Sequence, residues 1–167
     1  MQVAVAPPFK DIHYMWSKTK QTLESRLPED LKDRVKYQYD VYRDGSSEIQ
    51  AMSIRVDGEV WFCTNPKMYN IMYPVSWGGP GSLTVEEAIK KSGYVDNTWG
   101  EAMKYVHQFL NVLSIDESIS HENYFIRLLA LLDSRLGKRR IRKLAENIEN
   151  EPEWFRKWIF LRLGKEV

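Results

Sequence analysis

The densest group of basic side chains lies in the last third of the sequence, directly after a leucine-rich run that ends near Gly137. The group comprises Arg135, Lys138, Arg139, Arg140, Arg142 and Lys143. Lysine and arginine bind phosphate groups by charge and by hydrogen bonds. A helix, a glycine joint and a basic helix in succession also have the outline of a helix-turn-helix. The five basic residues after Gly137 are therefore candidate contacts to a nucleic acid.

The same basic group also fits the solvent-facing side of an ordinary helix. A helical wheel that starts at Lys138 gathers the apolar residues into a stripe about 100° wide. That stripe consists of Ile141, Leu144, Ala145 and Ile148. Glu146 and Glu149 follow Arg142 within one or two turns, where they could pair with it. Nucleic-acid surfaces more often interleave aromatic side chains with basic ones. We therefore favour a structural or protein-facing role and keep nucleic-acid binding as the alternative.

A second candidate surface is the irregular, Gly- and Pro-rich stretch over residues 65–82. It carries Tyr69, Tyr73 and Trp77, and aromatic side chains of this kind are enriched at protein interfaces. Long loops inside compact domains are often functional, so these three residues form a candidate protein interface. The alternative is that they cap the open end of a sheet. Residues 78–81 lack the Gly-Lys-Ser/Thr ending of a phosphate-binding loop, which excludes that motif.

The residue types that serve most enzyme mechanisms are scarce and poorly spaced. The three histidines, His13, His107 and His121, fall in no metal-binding pattern, and the single cysteine, Cys63, has no second thiol. The acidic residues near position 117 suit the start of a helix, where negative charge is favourable. A nucleophilic pair of Cys63 with a histidine stays open, because such partners meet only in the fold. We expect no catalytic residues, no cofactor and no metal.

Asp133 and Arg135 flank the leucine face just before Gly137. An arginine at this place can grip a carboxylate with two bonds, or bind the last carbonyl groups of a helix. The spacing predicts an internal ion pair that links the helical hairpin to its neighbour. This role would be structural.

The first part of the sequence changes from helical to alternating periodicity. Residues 11–27 predict a helix that Pro28 ends, with a short second helix after it. From Val35 the apolar residues alternate, which is typical of strands, and Asp57-Gly58 is a strong two-residue hairpin signal. A third strand follows over residues 59–63. We predict an antiparallel meander of three strands, or four if residues 69–73 add one, with one face covered by the first helix.

Everything after Leu83 has helical periodicity. Thr84 with Glu87, and Thr98 with Glu101, predict two capped helix starts. Further helices are predicted to begin near Ser118, to run over residues 138–150, and to begin at Pro152 and end before Gly164, while Gly137 ends or kinks the one before it. Strands followed by helices indicate an α+β fold. We predict one domain over residues 1–167, with a sheet layer at 11–63, the aromatic loop at 64–82 and a helical layer at 83–167.

Composition points to an ordinary globular protein. Of the 167 residues 43% are hydrophobic and 28% charged, and the formal net charge of +1 gives no general attraction to nucleic acid or to acidic lipid. No apolar run approaches the ~18 residues of a membrane span, and the N-terminus does not have the pattern of a signal peptide. The single cysteine fits a reducing compartment. We predict a soluble cytoplasmic protein with no membrane partner.

Several stretches of the sequence are recognisable as motifs. They are Met15-Trp16-Ser17-Lys18, Leu23-Glu24-Ser25-Arg26-Leu27, residues 31–37, Leu131-Leu132-Asp133-Ser134-Arg135-Leu136-Gly137-Lys138-Arg139-Arg140-Ile141 and Phe160-Leu161-Arg162-Leu163. Together they resemble a family of small uncharacterised bacterial proteins, over residues 15–63 and 118–163. The resemblance implies a cytoplasmic bacterial protein and brings no established catalytic residues.

Three functions follow from these observations. The first is a non-enzymatic accessory protein that holds another protein, of the immunity type or associated with a mobile element. The second is a small nucleic-acid-binding protein that uses residues 138–143. The third is an enzyme whose residues assemble from distant segments.

Overall fold

An antiparallel sheet of three strands follows an N-terminal helix and precedes five helices in the computed structural model, which describes residues 9–44, 47–65 and 99–165. The elements in chain order are α1 (Phe9–Ser25), β1 (Val35–Asp44), β2 (Ser47–Val56), β3 (Glu59–Cys63), α2 (Trp99–Asn111), α3 (Ile115–Ile119), α4 (Tyr124–Leu131), α5 (Lys138–Ala145) and α6 (Glu153–Leu163). Short 3-10 turns occupy Glu29–Leu31 and Ile148–Asn150. The α+β prediction is therefore confirmed.

The sheet is a meander in the order β1-β2-β3, and its hairpins follow from the sequence. Tyr37 lies opposite Ile54, so that alternate apolar residues of the two strands share one face. Asp57 and Gly58 turn the chain with φ of 52° and 88°, the positive values that a two-residue hairpin requires. Between Ile54 and Arg55 the pairing with β3 shifts by a residue, which is a β-bulge.

The core lies between the inner face of the sheet and the helices. α1 packs on β1, α2 packs on β2, and the ring of Phe62 on β3 stacks against Phe125 of α4 with centroids 5.3 Å apart. The largest fully buried side chains are Trp158, Tyr37, Phe62, Phe109, Phe125, Phe155, Leu27, Leu31, Met52, Ile54, Ile126 and Leu128. The outward face of β2 is also covered in part, because Ala51 and Ser53 are fully buried.

The boundaries of the helical layer differ from those predicted. The helix expected from Ser118 is two helices, since a capping box of Ser114 and Glu117 starts α3 and the Asn123 side chain caps α4. The chain already leaves helical geometry after α4, and Gly137 precedes α5 in an extended conformation with φ of −69°. Gly137 therefore neither kinks a helix nor uses the special freedom of glycine.

Two further boundaries depend on single residues. The helix predicted over 138–150 ends at Ala145, and a 3-10 turn follows it. Gly164 ends α6 in the left-handed region with φ of 69°, as its position after the last apolar residue predicts. The capping pair of Thr84 with Glu87 and the optional strand at residues 69–73 lie outside the described residues, as does Thr98, although α2 does begin directly after it. No helix in the described ranges is long and apolar enough to cross a membrane.

Candidate functional site

Among the described residues, one basic side chain of α5 has an ion-pair partner and four have none. Lys138, Arg139, Arg142 and Lys143 are exposed, whereas Ile141 on the opposite side of the helix is buried. Arg140, which is half-buried, forms an ion pair with Asp116 of α3. In the part of the chain that the structure describes, no carboxylate lies within ion-pair distance of the other four. We call these four residues the α5 basic face.

The acidic residues that the sequence placed near this face mostly bind elsewhere. Glu149 faces Arg156, with 3.3 Å between Oε2 and Nη1, and Glu151 is bound by Arg127. Glu146 is exposed at the end of α5 and forms no ion pair with Arg142. The pairing of Glu146 and Glu149 with Arg142 that the sequence suggested is therefore absent from the described contacts.

The first turn of α5 adds to the positive charge. Gly137 at its start offers no side-chain hydrogen bond, and the turn contains no acidic residue. The N-terminus of a helix carries partial positive charge and unshared N–H groups, which acidic side chains usually offset. Here Lys138, Arg139 and Arg140 follow instead. The local field therefore attracts anions.

A second surface, which the sequence did not reveal, is an open apolar groove between α1 and α2. Its volume is about 480 Å³. Side chains that line it include Met15, Trp16, Trp99, Met103, Val106 and Leu110. Met15 is 59% exposed although it is apolar. We call this feature the α1–α2 groove.

Aromatic contacts fix the walls of the α1–α2 groove. The rings of Trp16 and Trp99 meet edge to face with centroids 5.5 Å apart, and Trp99 also lies 4.3 Å from the ring of Tyr39 on β1. At the other end of α2, the amide of Asn111 is 3.2 Å from Nδ1 of His107. The groove thus has a rigid aromatic end and a polar end. No sequence pattern pointed to this groove, because Met103 and Leu110 of α2 also pack against the core.

Asp133 and Arg135 do form the predicted ion pair, but it closes a turn rather than joining two helices. Both carboxylate oxygens of Asp133, which is buried, accept hydrogen bonds from the Arg135 guanidinium at 3.0 and 2.8 Å, and one also accepts from its backbone N–H at 2.9 Å. These bonds hold the pKa of Arg135 above its usual value. The link to a neighbour is the longer one to Arg26, at 4.0 Å.

Arg162, which the sequence did not mark as important, binds one carbonyl group at the end of α4 and one in the turn after it. Its Nε donates to the Leu131 oxygen at 2.7 Å and its Nη2 donates to the Leu136 oxygen at 2.6 Å. Arg162 is only 3% exposed. The Arg162 guanidinium on α6 therefore fixes the leucine-rich segment, and no backbone conformation special to glycine is involved.

The contacts of Cys63, His107 and His121 in the described part of the chain do not pair the thiol with a histidine. Cys63 is buried, and burial raises the pKa of its thiol to about 12, so the nucleophilic thiolate is scarce at neutral pH. Its Sγ donates to the carbonyl oxygen of Asn65 at 3.3 Å. His121 accepts a hydrogen bond from the backbone N–H of Asn123 at 2.9 Å. Among the described residues no group of three His, Cys, Asp or Glu side chains could hold a metal ion.

The predicted protein interface at Tyr69, Tyr73 and Trp77 lies outside the described residues. Two candidate surfaces lie within the described residues. They are the basic residues of α5, which the sequence predicted, and the α1–α2 groove, which it did not.

Comparison with known proteins gives one result. The model of the SF0329 protein family matches residues 15–163, which include both surfaces and the polar contacts around α4. No curated protein and no solved structure matches the chain.

Proposed function

We propose that this chain, which belongs to the SF0329 protein family, is a non-enzymatic accessory protein that binds another protein through the α1–α2 groove. The observation that carries the proposal is the groove itself, an open apolar concavity between two helices of the described part of the chain. Apolar patches of this kind on soluble proteins commonly mark interaction sites. The proposal places the protein in the cytoplasm of a bacterium, as its resemblance to bacterial proteins implies.

The side chains of the groove suit a peptide rather than a small polar metabolite. Methionine is flexible and polarisable, so Met15 and Met103 can adapt to an apolar partner. The tryptophans Trp16 and Trp99 supply large, rigid contact areas of the kind found at binding hot spots. A groove between two helices accepts a third helix that lays its apolar face into it.

The polar rim favours a partner helix with acidic flanks. Lys104 is exposed on α2 beside the groove residue Met103, and no described carboxylate pairs with it. An acidic residue on the partner would therefore meet a free cation without displacing an existing ion pair. The proposed partner is an amphipathic helix of another protein, with apolar residues at helical spacing and at least one flanking carboxylate.

Co-purification from the native host tests this proposal. The tagged full-length chain is compared with Met103→Glu, which places a charge in the groove, and with Lys143→Glu, which changes charge on α5 only. We expect one protein to be recovered by the wild type and by Lys143→Glu, and at least ~10-fold less of it with Met103→Glu, because a buried unpaired carboxylate is costly. A synthetic helix from that protein should then change the tryptophan fluorescence of the wild-type chain.

Two results would contradict the proposal. One is recovery of the partner by Met103→Glu at the wild-type level, and the other is recovery of no partner. Met15→Glu guards against a folding defect, because Met15 is exposed and its substitution leaves the core intact. Loss of binding in this second variant, with unchanged thermal unfolding, would assign the effect to the groove. The immunity-type and mobile-element roles stay predictions, which the genes adjacent to this one would test.

A second function is favoured by the α5 basic face. Its four cations have no carboxylate partner among the described residues; Glu149 binds Arg156 instead, and Glu146 forms no ion pair with Arg142. On this reading Lys138, Arg139, Arg142 and Lys143 contact the phosphates of a nucleic acid, while Arg140 is occupied by Asp116.

The salt dependence of binding decides this second function. Four phosphate contacts predict that log K falls with log salt with a slope of about −3 to −4 on duplex DNA. Replacing both Arg142 and Lys143 with glutamine should reduce the magnitude of that slope by about 2, whereas Lys104→Gln, which removes one charge from α2, should leave it unchanged. Absence of binding to DNA and RNA at low salt would exclude this function.

A further inference from the structure

A hollow opens at the surface between the C-terminal ends of α5 and α6. Its volume is about 470 Å³, within the range of about 300–1,000 Å³ that small-molecule sites occupy. The residues that line it are Arg142, Ala145, Glu146, Leu163 and Lys165. Ala145 and Leu163 are half-buried and pack against the core, whereas the three charged residues are exposed. We call this feature the α5–α6 hollow; of its residues the proposed functions use only Arg142.

The ends of the two helices fix the charged rim of the α5–α6 hollow. Glu146 follows α5 directly, and its backbone N–H donates to the oxygen of Arg142 at 3.2 Å. Gly164 ends α6, and the backbone N–H of Lys165 then donates to the oxygen of Phe160 at 3.0 Å. These bonds set the backbone from which the charged side chains extend. Because Arg142 also belongs to the α5 basic face, the hollow continues that face.

The rim of the α5–α6 hollow carries charges of both signs. Among the described residues Arg142, Glu146 and Lys165 have no ion-pair partner. The two cations attract phosphates, whereas the carboxylate repels phosphates and favours a group that donates hydrogen bonds. A nucleotide offers both kinds of group, since its base has N–H donors on its edge and flat apolar faces that can cover Ala145 and Leu163.

We infer that the α5–α6 hollow binds one unstacked base of a single-stranded nucleic acid, and that guanine is the base it favours. The inference rests on the second proposed function, because the neighbouring phosphates must lie on the α5 basic face. Arg142 and Lys165 bind the phosphates on either side of the nucleotide, and the base lies over the apolar floor. A base inside a duplex is paired and stacked, so it cannot enter the hollow.

The carboxylate of Glu146 selects guanine by the pattern of hydrogen-bond donors. The base-pairing edge of guanine carries a ring N–H beside an amino group, and these two donors match the two oxygens of a carboxylate. Adenine and cytosine place an accepting ring nitrogen beside the amino group, and uracil has one N–H between two carbonyl groups. In these three bases a lone pair faces the carboxylate and repels it. Two-bond contacts of this kind distinguish bases by at least ~5-fold.

Fluorescence anisotropy of the full-length chain with labelled RNA tests the inference. The probes are a short uridine oligomer, the same oligomer with one central guanosine, and both oligomers as duplexes with their complements. At low salt we expect the guanosine to raise the affinity of the single strand at least ~5-fold and to leave that of the duplex unchanged.

Two glutamine variants separate the role of Glu146 from that of charge alone. Glu146→Gln should remove the preference for guanosine without lowering the affinity for the plain uridine oligomer. Glu149→Gln, a matched change at an exposed carboxylate that faces Arg156, should keep the preference. Both variants alter exposed side chains, so their thermal unfolding should match that of the wild type within about 0.5 kcal/mol.

The outcomes distinguish the inference from the function on which it rests. Binding of the plain oligomer with no gain from guanosine would overturn the inference alone, as would a preference that persists in Glu146→Gln or that appears equally in the duplex. Absence of binding to every probe at low salt would overturn the second proposed function and the inference together.

Discussion

Arg162 of α6 and Arg127 of α4 carry the same guanidinium group as Arg142 of α5, but the surroundings of the first two are opposite to those of the third. Arg162 is buried and gives its hydrogen bonds to two backbone oxygens, while Arg127 donates to Glu151 at 3.1 Å and lies 4.6 Å above the ring of Tyr124. Arg142 is exposed on α5 and has no described carboxylate partner. Buried cations of the first kind hold the chain in place, whereas exposed cations of the second kind contribute little to folding.

This difference separates residues that maintain the fold from residues that are available to a ligand. Arg127 and Glu151 tie the start of α4 to the segment before α6, and Asp133 fixes the turn after α4 through Arg135. All of these charged groups have their partners within the chain. The α5 basic face has no carboxylate partner among the described residues, and Met15 of the α1–α2 groove is exposed, which is why we propose binding at these two surfaces. Substitutions should therefore have large effects on stability among the paired charged groups around α4 and small ones on the α5 basic face.

The largest effect on stability should come from Arg162→Met. The substitution removes the donors to the carbonyl oxygens of Leu131 and Leu136, both of which are then buried without a partner. Each unsatisfied carbonyl costs about 1–3 kcal/mol, so we expect the free energy of unfolding to fall by about 2–5 kcal/mol. Urea denaturation followed by tryptophan fluorescence measures it. Arg162→Lys retains one donor and should lose less; a loss below about 1 kcal/mol for the methionine variant would contradict the role given to Arg162.

The contacts of Arg162 could not be predicted from the sequence, whereas the sheet could. The sheet could be predicted because its signals are local: alternation from Val35 onward and the positive φ that Asp57-Gly58 requires. The contact of Arg162 with Leu131 joins residues that are distant in sequence, and no periodicity encodes it. The prediction for Gly137 was wrong for the same reason, since the geometry there is set by Asp133 and Arg162 rather than by glycine.

The candidate sites were predictable to different degrees. The α5 basic face could be found from the sequence because Lys138, Arg139, Arg142 and Lys143 are close along one helix and its apolar stripe is clear. The lack of acidic partners could not, because Glu149 and Glu151 bind arginines that meet them only in the fold. The α1–α2 groove needs two helices that are far apart in the chain and pack on adjacent strands, so only the structure reveals it.

A smaller effect, of opposite sign, should follow from Lys157→Met. The pKa of Lys157 falls from 10.5 to about 8 on folding, so between pH 8 and 10.5 the unfolded chain holds more protons and stability should rise with pH. Below pH 8 the folded chain bears the full cost of a partly buried charge. Allowing for the lost hydrogen bond to Trp61, we expect the variant to be about 1–2 kcal/mol more stable than the wild type at pH 7.

The pH dependence distinguishes this cost from simple packing. The advantage of Lys157→Met should shrink between pH 8 and 10.5 as the wild-type amine loses its proton in both states. Thermal unfolding of both proteins across this range measures the difference. Lys104→Met, a matched change at an exposed lysine, should alter stability by less than about 0.5 kcal/mol at every pH. A Lys157→Met variant that is less stable than the wild type at pH 7 would show that the amine is held favourably.

The smallest effect on stability should come from Arg142→Met, the same substitution as in Arg162→Met but on the exposed face of α5. Arg142 has no described ion pair, and arginine and methionine have similar helix propensities, so we expect a change in the free energy of unfolding within about 0.5 kcal/mol. The same urea denaturation measures it. A loss of more than about 1 kcal/mol would mean that Arg142 is structural, which would remove the distinction between the two regions and weaken the second proposed function. If the free energy of unfolding is unchanged while the salt dependence of nucleic-acid binding weakens, the charge on α5 acts in binding a ligand. It then contributes nothing to the fold, because one substitution has changed binding without changing stability.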